Sequence, residues 1–174
     1  MTRSLLTYLL RCIVNFLAGL LNYPLAPIAV LFQKDGWLPS WLWWMQTPDN
    51  SLDGDEGWKE KHPGLPTYLK RVLWLYRNSM YGFSIDVLGG DVKPSFIYRA
   101  WGDDLTGNRP LHNGWVFRRA DNPDYTTYWQ FYWVQAWNET MCVRVNLGWK
   151  LWSNPRAGDT PQLVLSVNPF MGYD

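Results

Sequence analysis

The sequence predicts an α+β fold: a membrane-associated helix or helices at the N-terminus, then one further helix and a mainly antiparallel β-sheet domain. Three observations predict it. An uncharged apolar run opens the chain, a segment with helical spacing follows Pro66, and beyond Met80 short β-like runs alternate with turn residues. Three segments follow in order: 1–45, membrane-associated and helical with a Trp belt; 46–66, an acidic Asx/Gly-rich loop; and 67–174, a helix plus a Trp-rich antiparallel β domain.

The run Cys12–Phe32 has no charged residue, and about 20 apolar residues rising 1.5 Å each cross a hydrocarbon core of roughly 30 Å. Leu5, Leu6, Leu9 and Leu10 extend it past Arg11. Asn15 and Asn22 are polar, and Pro24 and Pro27 each remove a backbone donor. The run therefore reads as one kinked transmembrane helix or as a re-entrant or interfacial pair, about 4–21 and 27–32. A buried helix of a soluble assembly and a cleaved signal peptide compete, although Arg11 interrupts the apolar stretch and no clear A-x-A site follows. Trp37, Trp41, Trp43 and Trp44 come next. Their spacing places several rings on one helical face, expected at the membrane–water boundary where an apolar ring with a polar N–H is at home. Arg3 and Arg11 precede the run and Lys34 follows it, which leans only faintly to a cytoplasmic N-terminus.

Composition agrees. Charged residues are 18% of the chain, below the usual figure of about 25%, while the 13 Trp exceed what a compact domain of this size hides. A net charge of +1 gives no clustered basic surface, so nucleic acid is not an expected partner. Cys12 and Cys142 have no metal-ligand spacing and read as buried thiols.

The loop TPDNSLDGDEGWKE (47–60) has a calcium-loop skeleton counted from Asp49, with Ser51, Asp53, Gly54, Asp55 and Glu60 following. Calcium is thus the one cofactor the sequence offers. Glu56 stands where a paired helix–loop–helix site carries an aliphatic residue, and Pro48 and His62-Pro63-Gly64 interrupt both flanking helices. A lone divalent-cation loop and a structural turn, with Asp and Asn side chains satisfying backbone donors, are the readings left.

Thr67–Asn78 places Tyr68, Val72, Leu75 and Tyr76 at helical spacing, with Thr67 as the expected N-cap. The β-like runs are 96–101, 115–120, 125–137, 140–152 and 162–167. Their breaks are Gly102-Asp103, Thr106-Gly107-Asn108, Asn122-Pro123-Asp124, Asn138-Glu139 and Asn154-Pro155. Links this short join antiparallel neighbours, so 125–137 and 140–152 form a hairpin. Trp129, Trp133 and Trp137 share one face of it and Tyr128, Tyr132 and Val134 the other. The three Trp are the expected interface to a protein partner or to a second copy; core packing and stacking on sugars or bases are the alternatives.

The loop segment WMQTPDNSLDGDEGW (44–58), the R-x-L-W-x-x-R-N segment Arg71–Asn78 and GWKLW (Gly148–Trp152) resemble an uncharacterised family of small bacteriophage proteins. That resemblance implies a viral accessory or structural protein acting at or in a membrane, the host inner membrane or the virion, and carries over no catalytic residue. None is assigned from the residues either: His62 and His112 stand far apart, and no nucleophile-elbow, zincin or phosphate-loop motif is present. A non-enzymatic membrane-anchored protein is therefore expected, with the lipid bilayer and a protein as its partners. The alternatives are a glycan- or lipid-binding module and a metal-dependent hydrolase using the acidic loop or Asp103, Asp104 and His112. Arg118-Arg119 is a further candidate, for phosphate.

Overall fold

A computed structural model describes residues 2–106 and 113–172. The fold is α+β: helices α1 (Thr2–Val30), α2 (Glu56–Lys61), α3 (Thr67–Arg77) and α4 (Tyr81–Asp86), then strands β1 (Ile97–Gly102), β2 (Gly114–Asp121), β3 (Thr127–Ala136), β4 (Met141–Trp149) and β5 (Leu163–Gly172). The chain divides into two compact units, Ile13–Leu88 and Met1–Cys12 with Gly89–Asp174. α3 thus belongs with most of the N-terminal apolar helix, not with the strands, as the three-segment reading had it.

In the helical unit α1 is one helix that runs through Pro24 and Pro27, not a pair broken there. Each proline should orphan a carbonyl. Tyr23 O lacks the N–H of residue 27, and the Tyr76 hydroxyl donates to it at 2.9 Å. Near the C-terminus Leu31 N turns back to Ile28 O at 3.1 Å, and the carbonyl of Pro27 accepts instead from the Tyr68 hydroxyl at 3.0 Å. Two tyrosines of α3 thus supply donors where α1 lacks them. Asn22 is fully buried and donates to Leu75 O at 2.9 Å. Ala26, Ala29 and Val30 of α1 close on Met45, Leu52, Trp58, Trp74 and Leu75 to form the core.

Three local expectations are corrected. The Trp-rich segment is not helical: positive φ at Asp35 and Gly36 closes a turn in which Lys34 and Trp37 pair their backbones at 2.9 Å, and only Trp43–Met45 makes a 3₁₀ turn. Thr67 is the first residue inside α3, not its cap, because the Pro66 carbonyl already accepts from Lys70 N at 3.0 Å. The acidic loop contains a short helix, α2, whose N-terminus is capped by Asp55 through a 2.7 Å bond from Trp58 N.

The other unit is a five-stranded antiparallel meander in the order β1-β2-β3-β4-β5, matching the five β-like runs. Val116, Arg118, Ala120, Tyr128, Gln130, Tyr132 and Val134 point to one face and are buried. Gly148 breaks the alternation near the end of β4. Its φ is +104°, and a Cβ there would lie 2.1 Å from Trp129 O, so only glycine fits. The first turns of α1 pack on this end of the sheet. Ser4 Oγ donates to Thr127 O at 2.8 Å, Tyr8 Oη to Val164 O at 3.0 Å, and the Tyr8 ring meets Trp129 edge-on at 4.9 Å.

Candidate functional site

Two surfaces stand out, one on a helix and one on a sheet, because each leaves large apolar side chains uncovered. Along α1, the side chains turned inward are small or polar: Asn22, Ala26 and Ala29 in the helical unit, Ser4, Tyr8 and Cys12 in the sheet unit. Those turned outward are large and aliphatic, among them Leu6, Leu10, Ile13, Leu17, Leu20 and Ile28, each half or more exposed. Only 11% of the most apolar 18-residue stretch of this helix is buried, so the core of the protein is not what its hydrophobicity serves. α1 is long and apolar enough to cross a membrane. Of the four belt tryptophans, Trp37, Trp41 and Trp43 are exposed. Trp44 is half-buried, packs on Phe83 and donates its indole N–H to Trp41 O at 2.8 Å.

The sheet also leaves large apolar side chains uncovered on one face. Its covered face carries the polar set Arg118, Gln130 and Asn146, all buried. Arg118 donates to Asp104 Oδ1 at 2.9 Å, Asp104 O at 3.0 Å, Gln130 Oε1 at 3.2 Å and Leu151 O at 3.3 Å. Gln130 passes a 2.8 Å bond on to Asn146. The guanidinium is used up structurally, and its neighbour Arg119 pairs with Asp121 at 2.8 Å. Neither is arranged to receive a phosphate.

The opposite face is aromatic and open. The register sets Trp115 beside Trp133 and Phe117 beside Phe131, and Leu147 and Val145 beside Leu165 and Val167. Trp101, Trp115, Leu165, Val167 and Phe170 are all exposed. The three tryptophans expected as an interface separate. Trp129 is buried under Tyr8 and Trp149. Trp133 is half-buried in mid-face, whereas Trp137 is 57% exposed and stacked on Phe170 at 5.5 Å. Alternation in the sequence identifies the shared face, but not that the start of α1 lies over one end of it.

The acidic loop does not converge. Asp53 makes a two-pronged pair with Arg71, at 2.7 and 3.1 Å, and this guanidinium holds its carboxyl below the usual carboxylate range. Asp55 caps α2, Ser51 Oγ accepts from Asp53 N at 3.4 Å, and Asp49 and Glu60 are exposed. Gly54, with φ +79°, lies against the Trp58 ring. Among the described residues no three His, Cys, Asp or Glu side chains group as a metal site. Asp104 is committed to Arg118, Asp103 accepts from Leu105 N at 3.0 Å, and His112 lies outside the described residues. His62 stacks on Trp58 at 3.9 Å. Cys12 and Cys142 are free and buried, and burial pushes the Cys142 thiol up, away from reactivity.

In the sheet unit a cavity of about 250 Å³ opens beside the start of α1, lined by Arg3, Arg11, Asp124, Tyr125, Thr127 and Trp149. Arg11 donates to Gly89 O at 2.9 Å and lies over the Trp149 ring at 5.8 Å, so this hollow is partly filled by a structural contact and mixes both signs of charge.

No curated protein and no solved structure matches the chain. A family profile matches residues 1–174 in full, and the chain belongs to that family, a family of unknown function designated DUF7338.

Proposed function

We propose that this is a non-enzymatic, membrane-attached accessory or structural protein whose sheet domain binds another protein through its open aromatic face. One observation carries the reading: along α1 and across one face of the sheet, large apolar side chains are left facing outward. A soluble monomer seldom leaves contiguous apolar surface beyond a few hundred Å² in water. α1 supplies the attachment. A removable signal peptide fits poorly with a segment whose Asn22, Ala26 and Val30 fill the core of the helical unit. The resemblance to small bacteriophage proteins supports a host inner membrane or virion setting.

Fractionation and binding test the two halves separately. The full chain is expected to float with phospholipid vesicles on a density gradient. On those vesicles, Trp133→Ala and Trp137→Ala are expected to reduce protein crosslinking at least tenfold, since burying such a ring contributes roughly 1.5–3 kcal/mol, while flotation is unchanged. Protein that stays at the bottom of the gradient refutes the membrane half. Crosslinking indifferent to both substitutions refutes the sheet-face half, and quenching of Trp fluorescence by oligosaccharides would replace it with a glycan-binding face.

A further inference from the structure

We infer that α1 lies in the plane of one leaflet, buried to half its thickness along its outer face, and does not cross the bilayer. This rests on the membrane-attached reading and adds how the attachment is made. A crossing helix must be surrounded by lipid or by other apolar segments. The inner side of α1 packs instead on elements that also carry charged side chains and polar backbone contacts. In the helical unit α3 is bound to it through Asn22–Leu75, Tyr23–Tyr76 and Pro27–Tyr68, and α3 carries Lys70, Arg71 and Arg77. In the sheet unit residues 4–11 are bound to the backbone of Thr127, Val164 and Gly89. A crossing would draw charged, loop-bearing protein into the hydrocarbon alongside the helix, where ionised groups are expelled.

The outer side is built for lipid. Leu6, Leu10, Ile13, Leu17 and Leu20 recur at steps of three and four, so they form one stripe along the helix, and each is at least half exposed. The 29 residues of α1 extend about 43 Å, longer than the roughly 30 Å that a crossing needs. From Cys12 to Phe32 the stripe offers no charge and no pairing group. Protein interfaces carry about one hydrogen bond per 100–200 Å², so a protein partner would find little here to fix its register, whereas acyl chains need none. The stripe runs on through Phe32, whose ring meets Trp41 edge-on at 5.5 Å, into exposed Trp41 and Trp43. Such rings belong at headgroup depth, and in-plane amphipathic helices are anchored this way.

The experiment places one cysteine at either end of the helix in the full-length chain, Thr2→Cys or Lys34→Cys, both exposed positions; the native thiols are buried. The proteins are bound to preformed sealed vesicles and treated with a membrane-impermeant maleimide. In-plane attachment leaves both positions labelled at once and to the same extent as in detergent. If one position is protected until detergent is added, α1 crosses and the inference is overturned, although membrane attachment stands. If neither protein floats with the vesicles, the membrane-attached reading itself has failed. A second variant, Leu17→Asp with Leu20→Asp, changes only exposed positions and is expected to lower vesicle binding at least tenfold with an unchanged thermal melt. If instead it dissolves a dimer formed without lipid, the stripe is covered by a second copy of the chain and the inference is again overturned.

Discussion

The two units solve the same problem in different ways. In the helical unit, Leu75, Met45 and Leu52 are fully buried in a closed core of aromatic and aliphatic side chains contributed by every helix and by the Trp turns. In the sheet unit the closed side is built from a small apolar set around Val116, Val134 and Cys142 and a hydrogen-bonded polar chain, while the larger aromatic rings line the uncovered side. A core made of hydrocarbon tolerates substitution according to volume. A core made of paired polar groups tolerates it according to whether every partner remains satisfied. The difference teaches where each unit is vulnerable, and that the exposed rings of the open sheet face, Trp115 and Trp137 among them, lie outside its closed side.

The largest expected effect is in the closed core. Leu75→Ala should cost about 2–5 kcal/mol in chemical denaturation, because its site is sealed and also holds the carbonyl that Asn22 uses. Next comes the polar side of the sheet. Arg118→Ala should cost about 2–4 kcal/mol, leaving the Gln130 and Leu151 acceptors without their donor, and Asp104→Ala should cost less because that carboxylate is 43% exposed. If Arg118→Met proves as stable as the parent, the polar chain is replaceable and the contrast between the units weakens. Tyr76→Phe removes one donor from a proline-freed carbonyl and should cost about 1 kcal/mol, read as a lowered melting temperature.

Asp53→Asn sharpens the comparison by pH. Arg71 holds the Asp53 carboxyl low, so the stability this pair supplies is fully present above the unfolded carboxylate pKa of about 4 and is lost as pH falls through the lower folded value. The melting-temperature gap between parent and variant should be constant from neutral pH down to about pH 5 and close under stronger acid. Added calcium should leave both melts unmoved, since a cation bound only by the native loop would raise them. Smallest of all, Trp137→Ala should change stability by less than about 0.5 kcal/mol. A large loss there would mean that the exposed ring and its Phe170 partner belong to the core.

Much of this was readable in advance, for stated reasons. The strands announce themselves through β-branched and aromatic runs ended by Asn, Asp, Gly and Pro, and their short links dictate the meander. α3 shows its period clearly. What stays hidden depends on partners remote in sequence. Pro27 reads as a break because the Tyr76 hydroxyl that takes up the carbonyl it frees lies 53 residues from that carbonyl. Trp129 and Trp137 look equivalent until Tyr8 is laid over one of them. The acidic loop resembles a cation site because its spacing is local, whereas Arg71, which claims Asp53, is 18 residues away. α4 has Gly82 within its six residues, and no periodicity marks so short an element.

The hydrogen bonds at the start of α1 set an order of events during synthesis. Ser4 finds its acceptor 123 residues later and Tyr8 finds its own 156 residues later. This segment leaves the ribosome well before its acceptors do, and contacts of such sequence separation form slowly. Throughout that interval the most apolar stretch of the chain is in the open, where nascent apolar surface aggregates. A bilayer within reach would shelter it while the remaining strands are made, so under the proposed membrane attachment the same leucines would first act as a mooring for an unfinished chain.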